Sequence, residues 1–240
     1  QGIEGFNVLD LNWGSSNAQT ITLSFWVRSS LTGTFAGGIY NGASNRTYVF
    51  TYTINSANTW EQKTLTIAGD TTGTWSTDNT AGMYVNWDLG SGSTYQGTAG
   101  VWAAGSAWAT SGSVKLAATS GATFYITGVQ LEKGSTATSF DYRPYGTELA
   151  LCQRYCFNVT VPTGTPVVLF SAVSASTGWA MIPFPVTPRV PPTGLTSVTS
   201  NWLMNSFGSG STPAQAIQFV NSTLENITVQ TNGGASMVGG

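Results

Sequence analysis

The sequence predicts an all-β protein whose main body is an antiparallel β-sandwich. Apolar and polar residues alternate on a two-residue period through much of residues 1–145, as at Ile21, Leu23, Phe25 and Val27. Clusters of Gly, Asn and Asp separate the alternating runs. Aromatic residues make up 12% of the chain and charged residues only 8%, about a third of the usual share. We expect roughly eight short strands wired as a jelly roll. An immunoglobulin-like order stays open, although its Cys…Trp…Cys hallmark is absent.

Each expected strand after the first carries its own set of large apolar residues. These sets lie at 48–54, 65–67, 84–87, 114–116 and 124–131. In the last of them the alternation slips at Gly128, which predicts a β-bulge there. Residues 88–112 are rich in glycine and show no clear period, so we expect a long loop or a pair of irregular strands. Loops on a rigid sandwich are common places for binding sites.

One short connecting helix is predicted, at about residues 147–156. Thr147 can cap it, and Glu148 lies in the first turn, where a negative charge is favoured. A helix of about ten residues is marginal alone in water, so we expect it to pack on its own domain and on a second chain. The residues predicted to make that oligomer contact form one wide apolar arc: Leu149, Leu151, Cys152, Tyr155 and Cys156. We expect the two cysteines of this arc to be buried free thiols.

The composition changes after the helix, which gives three predicted regions: a sandwich at 1–145, a helical connector at 146–157 and a small β-rich domain at 158–240. The last region contains one basic residue, Arg189, and one acidic residue, Glu225. Strands are predicted at 157–161, 166–173, 178–184, 195–200, 215–220 and 224–230, with a proline-rich extended segment at 183–192. Because net charge keeps proteins apart, a surface with so little charge predicts burial between copies of the chain.

Residues 129–156, VQLEKGSTATSFDYRPYGTELALCQRYC, carry a family resemblance. The segment resembles a signature of bacteriophage and prophage tail-fibre and tail-tip proteins, and differs from it at Asp141, where Glu is usual, and at Cys156, where Tyr is usual. Residues 24–35 and 59–75 are similar to the carbohydrate-binding-like jelly-roll module that precedes this signature. The resemblance covers residues 3–157 well, and the remainder weakly, through 181–193.

The resemblance implies a structural and host-receptor-binding part of a virion appendage, assembled in the bacterial cytoplasm. Its partners would be further copies of the chain, usually as a homotrimer, other virion proteins, and a bacterial surface glycan or protein. Because the chain begins at Gln1 without Met, we expect a fragment of a longer polypeptide.

Several kinds of chemistry are excluded or disfavoured by what the sequence lacks. Without histidine, neither a Ser-His-Asp nor a Cys-His mechanism is available, and two cysteines alone make no zinc site. We find no P-loop and no calcium-loop spacing, and expect no cofactor. A net charge of −2 without a basic cluster argues against a nucleic-acid partner, and no apolar run approaches the twenty residues of a membrane span.

Tryptophan is the most promising residue type for binding, because a pyranose stacks on a flat apolar ring with a polar edge. Four tryptophans lie in or beside glycine-rich segments, where we expect them to be exposed, and are the predicted glycan-binding residues: Trp75, Trp87, Trp102 and Trp108. Trp26 and Trp60 are assigned to strands and to the core. In the C-terminal domain, a similar role is open to Trp179, Trp202 and Phe207.

The leading interpretation is therefore non-catalytic adhesion to a bacterial surface glycan, and three alternatives stay open. The first is a purely architectural virion protein, such as a head fibre, capsid decoration or tail adaptor. The second is a polysaccharide depolymerase using two of its carboxylates, although we expect these to be turn residues or solvated strand ends: Glu61, Asp70, Asp78, Asp88, Glu132 and Asp141. The third is a secreted carbohydrate-binding module of a bacterial glycosidase.

Overall fold

The computed structural model describes residues 1–158, 171–172, 177–195, 203–206, 210–213 and 216–232. The chain divides into two compact units, Gln1–Tyr142 and Arg143–Gly240. The first unit contains eight strands: β1 (Gly2–Glu4), β2 (Ile21–Ser29), β3 (Gly33–Asn41), β4 (Arg46–Ile54), β5 (Glu61–Ile67), β6 (Ala81–Trp87), β7 (Trp102–Ala104) and β8 (Phe124–Lys133).

These strands form two antiparallel sheets. One has five strands in the order β1-β6-β3-β4-β7, and the other has three in the order β5-β2-β8. Consecutive strands repeatedly lie in different sheets, so the chain crosses between the two layers as a sandwich requires. The predicted all-β, antiparallel sandwich is confirmed.

The core lies between the inner faces of the two sheets. From the three-stranded sheet, Phe25 packs edge-on against Tyr52 and Trp87 of the five-stranded sheet, with ring centroids 5.1 and 5.4 Å apart. The predicted inward residues of β2 are completely buried: Ile21, Leu23, Phe25 and Val27. The two-residue period therefore gave the correct face of this strand.

Strand β3 is absent from the strands predicted by sequence because its glycines interrupt the apolar pattern. A Cβ at Gly37 would overlap the ring of Phe50, and one at Gly38 would lie 2.7 Å from the Cβ of Trp108. The strand therefore lets other groups approach its backbone closely, and its composition hides its apolar period. The predicted strand at 114–116 is wrong, because Leu116–Ala118 forms a 3₁₀ turn.

The predicted bulge at Gly128 is confirmed. Trp26 of β2 pairs with Thr127 of β8, whereas Ser24 pairs with Gln130, so β8 has one extra residue at this point. Gly128 has φ +57°, the left-handed conformation that glycine adopts at little cost. The ladder resumes after the bulge with Leu131 again on the core side.

Helix α1 of the second unit spans Tyr145–Gln153, two residues earlier than predicted. Thr147 is not its cap. Pro144 occupies that position, and its carbonyl accepts hydrogen bonds from the backbone N–H groups of Thr147 and Glu148. Proline suits a helix start because its φ is already fixed and it has no N–H to leave unpaired.

The described strands of the second unit are β9 (Ser171–Ala172), β10 (Thr177–Pro183), β11 (Leu203–Ser206), β12 (Gly210–Pro213), β13 (Ala216–Ser222) and β14 (Asn226–Asn232). One sheet has the order β13-β14-β10-β9, and β11 pairs with β12. The buried centre of the four-stranded sheet consists of Ala180, Ile227 and Val229. The strands predicted at 178–184, 215–220 and 224–230 are confirmed within one or two residues. Most of those predicted at 157–161, 166–173 and 195–200 falls outside the described residues.

Candidate functional site

The outer face of the three-stranded sheet carries an exposed tryptophan near its centre. Because Phe25 points into the core, the next residue of β2, Trp26, lies on the opposite face, where it is 42% exposed. The register places Trp26 opposite Gln62 of β5 and Thr127 of β8, and both of these are exposed. Neither side chain makes a hydrogen bond to any described residue, so both are available to a ligand.

Two further aromatic rings and an arginine extend this face. Trp60, just before β5, lies 6.5 Å from Tyr125 of β8 between ring centroids, and the two side chains are 41% and 48% exposed. Arg28 pairs with Tyr125 across the ladder, and its guanidinium carbon lies 5.6 Å from the Tyr125 ring centroid. We call this surface the aromatic platform; it consists of Trp26, Arg28, Trp60, Gln62, Tyr125 and Thr127.

The bulge in β8 positions one side of the platform. A Cβ at Gly128 would lie 3.3 Å from Cδ1 of Trp26 and 3.8 Å from Cδ2 of Phe140, so the glycine backbone fits between these two rings. Phe140 is 41% exposed and packs edge-on against Tyr142 at 5.0 Å. Exposed aromatic surface thus continues from β2 past the bulge.

The segment after β8 is held on the same outer face by two side chains of the 129–156 signature. Gln130 accepts a hydrogen bond from the backbone of Asp141 and donates to Thr138 and to the carbonyl of Ser139. Glu132 accepts from both the backbone N–H and the hydroxyl of Thr138. Hydrogen bonds from Gln130 and then Thr138 lower the pKa of Glu132. This part of the signature therefore fixes the path of the chain out of the sandwich.

The four tryptophans predicted to bind glycan do not form one site. Trp75 is only 9% exposed, and it packs edge-on against Trp13 with centroids 4.7 Å apart. Trp102 packs against both rings, at 5.2 and 5.5 Å, and donates its indole N–H to the carbonyl of Ala68. The expectation that glycine-rich surroundings leave Trp75 exposed is wrong, because this ring closes one end of the core.

The remaining two predicted tryptophans lie elsewhere. Trp87 faces inward beside Phe25 and Phe50, and its buried Nε1 has no hydrogen-bond partner among the described residues. Trp108 lies on the outer side of the five-stranded sheet, where it stacks on Tyr95 with centroids 4.3 Å apart. Trp108 is the predicted residue whose surroundings best match an exposed binding loop. A glycan-binding role for these four residues stays a prediction.

The assignment of Trp26 and Trp60 to the core is wrong. Trp60 precedes β5 and is not part of a strand. For Trp26, the alternation that buries Phe25 also places Trp26 beside Thr22 and Ser24 on the polar face. That period was the signal that identifies Trp26 as an outward residue. A general preference of tryptophan for burial gave the wrong answer at a position where the strand period was decisive.

Three of the candidate carboxylates, Asp70, Asp78 and Asp88, accept hydrogen bonds that stabilise turns. Burial raises the pKa of Asp70, but hydrogen bonds from Arg46 and Thr72 outweigh it and the net pKa is lowered. For Asp88, bonds from Ser91 and Gly90 outweigh burial in the same direction. Asp78 accepts from both the hydroxyl and the backbone N–H of Thr80. The turn interpretation is thus confirmed for these three aspartates.

Glu61 is also fully engaged. The ammonium of Lys63 and the N–H groups of Asn55 and Ser56 lower the pKa of Glu61 to about 2. Each of Glu61, Asp70, Asp78, Asp88 and Glu132 has its pKa lowered, whereas a general acid at neutral pH requires a raised pKa.

Two cavities lie in the first unit. One, of about 280 Å³, is formed where the 94–107 segment covers Thr47 and Val49 on the outer side of β4, and its lining has no charged residue. The other, of about 300 Å³, lies between Trp13, Trp75 and the 3₁₀ turn Leu9–Leu11. The first volume lies just below the range for ligand pockets, about 300–1,000 Å³, and the second lies at its lower limit.

The helix predicted to mediate oligomer contact is exposed along its length. Leu149, Leu151 and Tyr155 are 40%, 44% and 58% exposed, and both Cys152 and Cys156 are exposed free thiols. No residue of α1 is buried. Among the described residues, no side chain of this helix is buried by its own domain. Contact with a second chain stays a prediction.

In the part of the chain that the structure describes, no helix is both long and apolar enough to cross a bilayer. No group of three or more His, Cys, Asp or Glu side chains able to hold a metal ion occurs among those residues. Comparison of the chain with family models, with curated proteins and with solved structures finds no match.

Proposed function

We propose that this chain is a structural and host-receptor-binding part of a bacteriophage tail fibre or related virion appendage, and that it adheres to a bacterial surface glycan without cleaving it. The observation that carries the glycan-binding part is the aromatic platform. The observation that favours a virion appendage is the resemblance of residues 129–156 to the tail-fibre signature.

The platform has the two kinds of group that a sugar ring needs. The faces of Trp26, Trp60 and Tyr125 offer apolar surface for the axial C–H groups of a pyranose. The amide of Gln62 and the hydroxyl of Thr127 lie beside Trp26 without internal partners and can bond the ring hydroxyls. Water would otherwise occupy these donors and acceptors, so a ligand replaces water without leaving polar groups unpaired.

The fold supports this use because the platform rests on strands. Three of its aromatic and charged side chains come from paired residues of β2 and β8, whose ladder fixes their spacing. Side chains fixed by a sheet lose little freedom when a ligand binds, which reduces the entropic cost of binding. A flat and fairly shallow surface favours weak individual contacts. Repetition of the chain in a fibre would raise the overall affinity by about 10²–10⁴.

The proposal is tested by replacing the central ring. Trp26→Ala should reduce affinity for the best-binding surface glycan about fivefold or more, because truncation of a central aromatic anchor costs about 1 kcal/mol or more. The matched control is Tyr95→Ala, which removes an equally exposed ring from the loop over the other sheet. Affinity is measured by titration calorimetry, with the glycan chosen from an array probed with the wild-type protein.

Equal affinity of the Trp26→Ala and wild-type proteins would contradict the platform as the binding surface. A wild-type protein that retains no glycan and no host cells would contradict adhesion altogether, and would favour the architectural role. In that role another virion protein would cover the same exposed rings.

Self-association is the second part of the proposal, as a homotrimer held in part through α1. Leu149, Leu151 and Tyr155 are exposed and give the helix an apolar surface that the described residues leave uncovered. Light scattering should give three times the 25.1 kDa of one chain. Leu149→Asp combined with Leu151→Asp should give monomers, whereas Thr147→Asp, in the first turn of the same helix, should not. A wild-type monomer at micromolar concentration would contradict this part.

A depolymerase is the less favoured alternative. Glu61, Asp70 and Asp88 are bound to turns and cations and have lowered pKa values, which suits structural use. Incubation with host polysaccharide should therefore leave its chain length unchanged on a sizing column.

A further inference from the structure

The charge distribution on the aromatic platform indicates which class of glycan it takes. The first unit, Gln1–Tyr142, is described throughout, and four of its five basic side chains lie within 4 Å of a carboxylate. Arg46 is 2.7 Å from Asp70, Lys63 is 2.6 Å from Glu61, Lys115 is 3.6 Å from Asp88 and Lys133 is 3.2 Å from Asp10. The fifth basic residue is Arg28.

The Arg28 side chain has no hydrogen bond and no ion pair within the described residues, and its Nε is buried without a partner. Its guanidinium lies over Tyr125 and is half-buried. A partly desolvated guanidinium attracts an anion more strongly than one in bulk water, because the surrounding dielectric constant is lower. Its planar set of donors also matches the two oxygens of a carboxylate.

Two carboxylates of the first unit close to the platform, in sequence or on the same face, do not occupy this position. Glu61, beside Trp60 in sequence, is bound by Lys63 and by the backbone of residues 55 and 56. Glu132 is on the same outer face but pairs with Thr22, six residues along β2 from Arg28, or about 20 Å at strand spacing. The free positive charge is therefore local to the rings of the platform.

Trp26 and Arg28 are two residues apart on one face of β2, or about 7 Å along the strand. A sugar stacked on Trp26 would therefore direct a ring substituent toward the guanidinium. We propose that the aromatic platform selects a glycan bearing a carboxylate, of the uronic or sialic acid class, and that Arg28 binds the carboxylate while Trp26 stacks on the ring. This inference rests on the proposed adhesion to glycan and specifies its ligand.

The single charge also separates this ligand from other polyanions. Nucleic acids and phosphate-rich polymers are held by clusters of Lys and Arg, and Arg28 is the sole unpaired base of the first unit. A monovalent carboxylate on an otherwise neutral, hydroxylated ring fits one guanidinium surrounded by aromatic, amide and hydroxyl groups.

The test is an array that carries uronic and sialic acid oligosaccharides beside the same compounds with methyl-esterified carboxyl groups, probed with the full chain. We expect the array to retain at least one acidic oligosaccharide. Its methyl ester should bind at least tenfold more weakly than the acid. Arg28→Gln should remove this difference in affinity by weakening the binding of the acid alone. Arg28→Lys, which keeps the positive charge, should retain part of the difference. Tyr95→Ala should leave the difference unchanged, and thermal unfolding should show that each variant folds.

Three results would overturn the inference, and they differ in what they say of adhesion. If acid and ester bind equally and Arg28→Gln changes neither, while Trp26→Ala weakens both, the platform binds neutral glycan, and only the role of Arg28 fails. If no acidic oligosaccharide is retained but host cells or neutral glycans are, the carboxylate class is wrong and adhesion stands. If nothing is retained, both proposals fail.

Discussion

Single residues hold the platform in place, and Glu61 shows how. Its carboxylate accepts hydrogen bonds from the backbone of Asn55 and Ser56 and from Lys63, which fixes the turn leading to Trp60. The bound carboxylate has a pKa of about 2, against an ordinary value of 4.5. Because the folded pKa is lower than the unfolded one, this contribution to stability is complete above about pH 4.5. It is lost as the pH falls from there through about 2.

Glu61→Gln should therefore lower the free energy of unfolding by about 1 kcal/mol at pH 7, where the charged carboxylate is lost, and the deficit should shrink toward zero near pH 2. Urea unfolding of the two proteins at several pH values measures this difference. Asp10→Asn is the control, because the Asp10–Lys133 pair is exposed and surface pairs contribute little. A deficit that is the same at pH 7 and pH 2 would show that Glu61 acts by shape and not by charge.

Residue-level predictions from the sequence succeeded where a period or turn chemistry decided the matter. The turn roles of Asp70, Asp78 and Asp88 followed from local sequence, because an aspartate that bonds a backbone N–H two residues on needs only its neighbours. The exposure of tryptophans did not follow from glycine content. Trp75 is buried by Trp13 and Trp102, which are 62 and 27 residues away in the chain, and such contacts leave no local pattern.

At the scale of elements, the bulge in β8 connects the sheet to the platform. It lets Phe124 and Ile126 face the core before the bulge and Leu131 face it afterwards, although the two sets differ in phase. It also places a glycine where Trp26 and Phe140 approach the backbone. The phase slip could be read from sequence because it breaks a period, and it identified the right residue.

Gly128→Ala should lower the free energy of unfolding by about 1–2 kcal/mol, because alanine pays the cost of the left-handed conformation. It should also weaken glycan binding, since the new methyl group would press on Trp26. Gly121→Ala is the matched control: Gly121 has φ +77° but open space around it, so it shares the strain without touching the platform. The bulge has no bearing on the site if both variants bind glycan as wild type does.

Helix α1 and strand β3 show the limits of element-level prediction. The apolar residues predict the helix, but a side-chain cap at Thr147 predicts a start two residues after the one that Pro144 provides. Strand β3 contains Gly37 and Gly38 because Phe50 and Trp108 lie too close to its backbone for a Cβ. Glycine has a weak strand propensity, so the sequence pattern does not predict this strand.

At the scale of the whole molecule, two units serve different purposes in the proposal. The first has its own extensive core, with both sheets contributing completely buried side chains. The second has a much smaller described core, centred on Ala180, Ile227 and Val229, and hardly any charge. We therefore assign glycan recognition to the first unit, and expect the second to depend more on contact between copies.

A fragment of residues 1–142 should accordingly unfold in one cooperative transition and keep the glycan affinity of a single site, because every platform residue and its supporting contacts lie within it. It should lose the avidity of the full chain on a glycan-coated surface. Circular dichroism and surface binding of the fragment and the full chain measure both properties. A fragment that does not fold would show that the first unit requires residues beyond 142.

The most direct measurement locates the bound glycan among the indole N–H groups. Nuclear magnetic resonance of the full chain, titrated with its best-binding oligosaccharide, should shift the Nε1–H signals of Trp26 and Trp60 and leave those of the inward Trp75 and Trp87 unchanged. Shifts confined to Trp108, or to no tryptophan of the first unit at saturating oligosaccharide, would contradict the platform as the binding surface.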